Sequence, residues 1–481
     1  MADHYNKPVK KLPSDTFCIL PWIHLSTRPD GSMRVCCTAN ASSVGATNDK
    51  GIAGGRVGIV KTDDGRPANL NNSDLQTSWN NEYMRNVRTQ MLAGEKPASC
   101  LKCYKEEAAG HRSKRQWETD YWMRDGIDVD ELVAQTYEDG STDSKLRYID
   151  IRMGTKCQLG CIMCSPHDSS GWVKDWNKLY PQITNESLKQ TMTWENKGKE
   201  FGANYNWHKN NPTFWEQFYA QIPYIRQLYF AGGESTVIEE HYGILEKVIE
   251  MGYAHQIEVR YNSNGVELPD RLLELWTHFQ KVRFHYSIDS IYEMNDYIRY
   301  PSEWSHQVKM FERLDRDTSN NVEVTIACAV NALNIHYIPD FLKWKLTSNL
   351  KKTNMWPFGA GGINYHFVYW PGHLNVKILS DEFLDKTEAK YEEFISWWKE
   401  NWELGVPSWH KGKVDYQTWE DASYGIERLR GMISFARSED WSARLPEFRE
   451  YINKMDKLRG TDFRKTFPDM AHMLDEPDSD S

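Results

Sequence analysis

Most of the nine cysteines in this chain of 481 residues fall into two groups of short spacing. The tighter is Cys157-Gln-Leu-Gly-Cys161-Ile-Met-Cys164, a C-x3-C-x2-C run directly after the apolar stretch 146–153. Three thiolates on one short loop can each hold one iron of a four-iron cluster and leave the fourth iron open to a substrate or cofactor. A zinc loop closed by a distant ligand, or by His167, uses the same residue types. The second group, Cys18, Cys36, Cys37, Cys100 and Cys103, lies earlier in the chain. Pro29-Asp30-Gly31 between two apolar runs is a turn signal, so residues 23–27 should pair with 33–35 and bring Cys18 towards Cys36 and Cys37. Cys328, inside a β-rich run, reads as a small core residue. His24 and His111 read as hydrogen-bonding scaffold near the second group.

The 58 Lys and Arg against 68 Asp and Glu leave a formal charge of −10. That acidic balance disfavours broad electrostatic attraction to nucleic acid, so no nucleic-acid partner is expected. The local run Lys102, Lys105, Arg112, Lys114 and Arg115 reads as a solvated helix face. No apolar stretch reaches the roughly 18 to 20 residues that cross a bilayer, and the first residues lack the apolar core of a signal peptide. No membrane partner and a reducing, cytoplasmic location are therefore expected. In that setting an odd number of cysteines points to metal binding or chemistry, not to a disulfide framework.

From residue 146 onward, β-rich runs alternate with helical ones. Strands are expected over 146–153, 227–230, 257–262, 282–288, 322–330 and 363–370, and apolar residues at helical spacing mark 239–251, 269–279, 303–315 and 337–346. This pattern predicts an α/β fold of parallel βαβ units, six in number, forming an open or partial (β/α)6 barrel. Residues 172–220, rich in Trp, Asn and Lys, read as a helical insertion near the barrel mouth, where such sheets place ligands. Its Trp172, Trp176, Trp194, Trp207 and Trp215 fit a substrate-pocket wall and core packing equally well. Residues 39–73 read as loop, and a helical region over 381–404 and 424–457 leads to an acidic, frayed end. Three parts are expected: a small cysteine-rich α+β module over 1–125, the barrel with its insertion over 140–375, and a helical C-terminal region over 376–481.

Over residues 146–375 the chain resembles the radical S-adenosylmethionine (radical SAM) superfamily. The resemblance is carried by Cys157, Cys161 and Cys164 after the first strand and by Ala231-Gly232-Gly233-Glu234 after the second. It implies a 4Fe-4S cluster on the three cysteines with SAM bound to its open iron. It also implies that Gly232, Gly233 and Glu234 hold the methionine amino group. Ser287, ending the fourth strand, and Arg299 in the run NDYIR correspond to cofactor contacts in related maturases, and the planar fork of Arg299 suits the SAM carboxylate. Asn264, Asp289 and Asn331 are the candidates for the ribose hydroxyls. The family often has an aromatic residue just before the third cysteine; here it is Met163, whose thioether can still contact adenine. The implied chemistry is reductive cleavage of SAM to a 5′-deoxyadenosyl radical that abstracts hydrogen, with a reductant such as flavodoxin or ferredoxin as partner.

The second cysteine group is similar to the SPASM and twitch auxiliary modules of the same enzymes, in which a Cys before a hairpin, another after it and a later C-x2-C help bind extra iron-sulfur clusters. Here the match precedes the barrel, whereas those modules generally follow it. One auxiliary cluster would be complete with Cys18, one of Cys36 and Cys37, Cys100 and Cys103. A four-thiolate zinc site would use the same residues. The expected activity is that of an oxidoreductase or maturase acting on a peptide or protein side chain, or on a small polyol or sugar. The alternatives are a radical SAM RNA-modifying enzyme and a non-catalytic iron-sulfur or zinc scaffold.

Overall fold

The computed structural model describes residues 12–39, 58–71, 73–108, 112–196, 205–353, 363–401 and 423–475. His111, the side chain of Trp194, much of the 39–73 loop and nearly all of the acidic end lie outside the described residues. The chain is mixed α/β with a helical C-terminal region. It divides into two compact units: Met1–Gly154, Gly202–Arg260 and His278–Gln280 form the first, and Thr155–Phe201, Tyr261–Thr277 and Lys281–Ser481 the second.

The first unit is built on four strands, β1 (His24–Thr27), β2 (Met33–Arg34), β3 (Tyr148–Ile151) and β4 (Gln227–Phe230), with the start of β5 (Glu258–Ser263). The β1–β2 hairpin forms as its turn residues require. Gly31 takes φ +83°, Arg28 N–H donates to Ser32 O at 2.8 Å, and the Asp30 carboxylate accepts from the Ser32 N–H and hydroxyl at 3.0 Å each. Unforeseen is the parallel ladder from β1 to β3, with Leu25 opposite Ile149 and Ser26 opposite Asp150. The cysteine-bearing hairpin thus extends the same ladder as the first strand of the alternation, and β3 pairs in parallel with β4 on its other side. Leu25, Ile149, Ile151, Leu228 and Phe230 alternate onto one face and are fully buried.

Around this sheet the helix Lys114–Arg124 opens with a capping box, Ser113 and Gln116 each bonding the other's backbone N–H. Its register turns Arg115, Glu118, Thr119 and Trp122 inward. The basic run is therefore not a solvated face throughout. Arg115 grips the Glu107 carboxylate at 2.9 and 2.5 Å and also donates to Phe17 O at 2.6 Å, while Lys114 pairs with Glu118 at 2.6 Å.

The second unit carries the rest of β5 and the parallel strands β6 (Lys281–Ser287), β7 (Val322–Val330) and β8 (Ile363–Phe367). Along β6, Val282, Phe284 and Tyr286 are buried, while Lys281, Arg283, His285 and Ser287 are half-buried. The helices Asp270–Trp276, Trp304–Asp317 and Ile338–Thr347 fall where helical spacing placed them. In the second of these, Trp304, Gln307, Phe311 and Leu314 form the buried stripe. The described tryptophans of the insertion are divided between the two units. Trp172 and Trp176 pack inside the second unit, whereas Trp207 is buried in the first beside Phe214 and Trp215.

Candidate functional site

Three clusters of chemistry-bearing residues are assembled, two in the first unit and one in the second. In the second unit the loop after β3 carries Cys157, Cys161 and Cys164, with Cys161 buried and the other two half-buried. The loop backbone is pinned on several sides. Gly160 and Ile162 N–H donate to Tyr300 O at 2.7 Å and Ile298 O at 2.8 Å, Trp172 Nε1 donates to Cys161 O at 2.7 Å, and Tyr451 Oη donates to Ile162 O at 2.9 Å. Arg459, on the same C-terminal helix as Tyr451, lies over the rings of Trp172 at 4.4 Å and Tyr300 at 4.6 Å and pairs with Asp175 at 2.9 Å. Neither Tyr451 nor Arg459 carries a motif, so no sequence signal pointed to them.

Polar groups reach the sulfurs of this loop. Arg299 Nη1 lies 3.9 Å from Cys161 Sγ, and Asn264 Nδ2 lies 3.5 Å from Cys157 Sγ. The Cys164 thiol hydrogen-bonds Cys161 and, with the positive charge of Arg299, holds the Cys161 thiol below its ordinary range against the pull of burial. Cys164 is pushed well up in return. A thiol held below its ordinary range is a readier sulfur ligand than an ordinary one.

Asp289 is fully buried and faces Arg299 Nε at 2.9 Å, close enough for an ion pair although the Nε–H is not aimed along the contact. Its other oxygen accepts the Ala329 N–H at 2.7 Å. Burial outweighs Arg299 and lifts the Asp289 carboxyl above its usual range. Asn331 is spent on backbone, donating to Ala329 O at 2.8 Å and accepting from Leu333 N–H at 2.9 Å. Ser287 ends β6 half-buried, and Met163 is half-buried between Ile162 and Cys164. Cys328 is fully buried.

In the first unit Gly232 and Gly233 follow β4 at φ +76° and +57°, and a Cβ on Gly232 would stand 3.1 Å from Arg152 Cβ, so backbone alone fits there. Glu234 is buried and accepts from the Thr236 N–H at 3.2 Å and hydroxyl at 3.0 Å.

A cavity in the same unit is lined by Cys18, Cys36, Cys100 and Cys103 together with Val35, Met91, Lys114 and Arg115. Cys37 is not part of that lining. Burial, and then the neighbouring cysteines, push the thiols of Cys18 and Cys100 up, the latter to about 12. Four cysteines around one cavity are the residue types that an iron-sulfur cluster uses once they are deprotonated. Among the described residues, no group of three or more His, Cys, Asp or Glu is drawn together closely enough to hold a single metal ion.

The third cluster is polar and was not foreseen. His24, Ser26, Arg34, Tyr148 and Asp150 share one face of the first unit's sheet. Ser26 Oγ donates to Asp150 Oδ2 at 2.9 Å, and Arg152 reaches both oxygens of Asp150 at 3.2 and 3.1 Å. His24 Nδ1 lies 3.1 Å from Tyr148 O with the two rings stacked at 4.0 Å. The period-2 polar residues of His24-Leu-Ser26 and Tyr148-Ile-Asp150-Ile-Arg152 are the signal that marks this face.

No protein-family model and no curated protein matches the chain. Among solved structures it is similar to Streptococcus suis SuiB bound to S-adenosylmethionine, at 12% identity and a TM-score of 0.31, over 70% of this chain and 67% of that one. It is also similar to TYW1 with a lysine-pyruvate adduct bound, at 13% identity and a TM-score of 0.25, over 51% of this chain and 72% of that one. At these values the likeness is distant. Among the described residues, no helix is long and apolar enough to cross a membrane.

Proposed function

We propose that the chain is a radical SAM enzyme, and the observation that carries this is the pinned Cys157–Cys161–Cys164 loop with Arg299 and Asn264 directed at its sulfurs. The three thiolates would hold a four-iron cluster. Once reduced by an external one-electron donor, that cluster would supply the electron that splits the S–C5′ bond of bound SAM into methionine and a 5′-deoxyadenosyl radical, the species that would take hydrogen from a substrate. The chain's own contribution is positional. In the second unit Arg299 sets positive charge beside Cys161 and offers a fork for a carboxylate; in the first, taken by itself, the open backbone at Gly232 and Gly233 with the Glu234 carboxylate suits an ammonium. Residues 140–375 act as the partial barrel, 1–125 as the auxiliary module and 376–481 as the helical support.

Cys18, Cys36, Cys100 and Cys103 would hold the auxiliary cluster, with Cys36 chosen over Cys37 because only Cys36 lines the shared cavity. The activity is that of an oxidoreductase or maturase, served by a flavodoxin- or ferredoxin-type reductant in the cytoplasm. Anaerobically reconstituted protein given dithionite and SAM is expected to release 5′-deoxyadenosine, and Cys161→Ala to release none. Equal release from both overturns the assignment. Iron and sulfide near eight each per chain support two clusters, whereas four iron and one zinc make the auxiliary site a zinc site. If intact clusters fail to bind SAM in calorimetry, the chain is a scaffold.

A further inference from the structure

Two buried polar atoms on the charged sheet face of the first unit lack partners. His24 is fully buried, and its Nδ1 lies 3.1 Å from a carbonyl, which can only accept, so the ring proton sits on Nδ1. His24 Nε2 is then a bare lone pair, and no donor reaches it. Arg34 is 6% exposed, and among the described residues its guanidinium makes neither a hydrogen bond nor an ion pair. Burial disfavours its charge, the guanidiniums of Arg28 and Arg152 repel it, and the sulfurs of Cys36 and Cys37 favour it without bonding to it.

The carboxylates nearby are already engaged, Asp150 by Ser26 and Arg152, and Glu118 by Lys114. A buried guanidinium with no hydrogen-bonding partner is unfavourable until an anion arrives, and a buried lone pair until a donor arrives. The ladder fixes the span between them. Arg34 stands opposite Ser26, and His24 lies two residues before Ser26 on the same face, so the pair are diagonal neighbours with Cα atoms about 7–8 Å apart.

We propose that this face is a binding site for a small oxyanion that also carries a hydroxyl. Arg34, with Arg28 beside it, takes the oxyanion, and His24 Nε2 accepts the hydroxyl hydrogen. The shared chemistry is a hydroxylated carboxylate or a hydroxylated phosphate ester. To call this ligand the substrate rests on the radical SAM reading; the anion site itself does not.

The test is calorimetry on the reconstituted full-length protein without SAM, using lactate and glycerol 1-phosphate as probes and acetate and inorganic phosphate as partners lacking the hydroxyl. One hydroxylated probe is expected to bind and to exceed its plain partner, which decides between carboxylate and phosphate. Arg34→Gln should weaken it roughly tenfold or more, as loss of a charge-assisted bond does. Arg34→Lys should fall between, and His24→Phe should abolish only the advantage of the hydroxyl. Arg28→Gln, at a half-buried position, serves if Arg34→Gln does not fold, and should weaken the same probe. The proposal is overturned if none of the four compounds binds, if Arg34→Gln and Arg28→Gln bind as the parent does, or if Arg34→Gln leaves binding intact while lowering iron or zinc content, which would make the charge a servant of the cysteine site. Anion binding without 5′-deoxyadenosine release would count against the radical SAM reading alone; release without anion binding would count against this site alone.

Discussion

Arg299 stands between two negative partners, Asp289 at 2.9 Å and the Cys161 sulfur at 3.9 Å, and it is the one arginine of the sequence motif that the structure places at the cysteine loop. Its planar fork can serve both at once, which an ammonium cannot. Arg299→Lys should keep the charge yet lower SAM affinity by about tenfold or more, measured by calorimetry on reconstituted protein. Unchanged affinity would remove Arg299 from the cofactor site. Cysteine spacing alone led to this loop. Cys36 and Cys37 are adjacent and not separable in the sequence; coordinates distinguish them, because Cys36 lines the cavity and Cys37 does not.

At the level of elements, the β1–β2 hairpin delivers Arg28, Arg34 and Cys36 together, and Gly31 is the residue on which its turn depends. A Cβ there would meet Asn69 Oδ1 and the Trp207 ring at 3.0 Å, in a left-handed conformation that L side chains rarely adopt. Gly31→Ala should therefore lower stability by about 1–2 kcal/mol, read as a reduced urea midpoint, and should weaken the auxiliary site with it. The six strands β3 to β8 were legible because each alternates or carries β-branched and aromatic residues, and only their ends differ from expectation by a few residues. The parallel pairing of β1 with β3 was not legible. His24-Leu-Ser-Thr27 is four residues long, so its alternation can mark a polar face but is too short to name the strand it pairs with.

For the molecule as a whole, buried histidines set an acid limit. Burial lowers His24 to about 4, against the pull of Asp150 and Glu118 and with the push of Lys114; burial and Arg444 lower His373 to about 3. The unfolded imidazole titrates near 6.5, so below that pH the unfolded chain takes up protons that the folded chain refuses. The stability these residues contribute is complete above pH 6.5 and is lost as pH falls towards 4. At pH 5 each should have lost about 2 kcal/mol, so the urea midpoint should drop between pH 7 and pH 5, and drop less in His24→Phe. A pH-independent midpoint would show these rings to be accessible. The bond from Tyr451 to the carbonyl of Ile162 carries a consequence of another kind, because its two ends lie 289 residues apart. At roughly 5–20 residues per second, a ribosome makes the three cysteines a quarter of a minute to a minute before it makes the helix that braces them. The loop therefore gains this brace only once Tyr451 has been made, and a metal group taken up earlier would enter an unbraced loop.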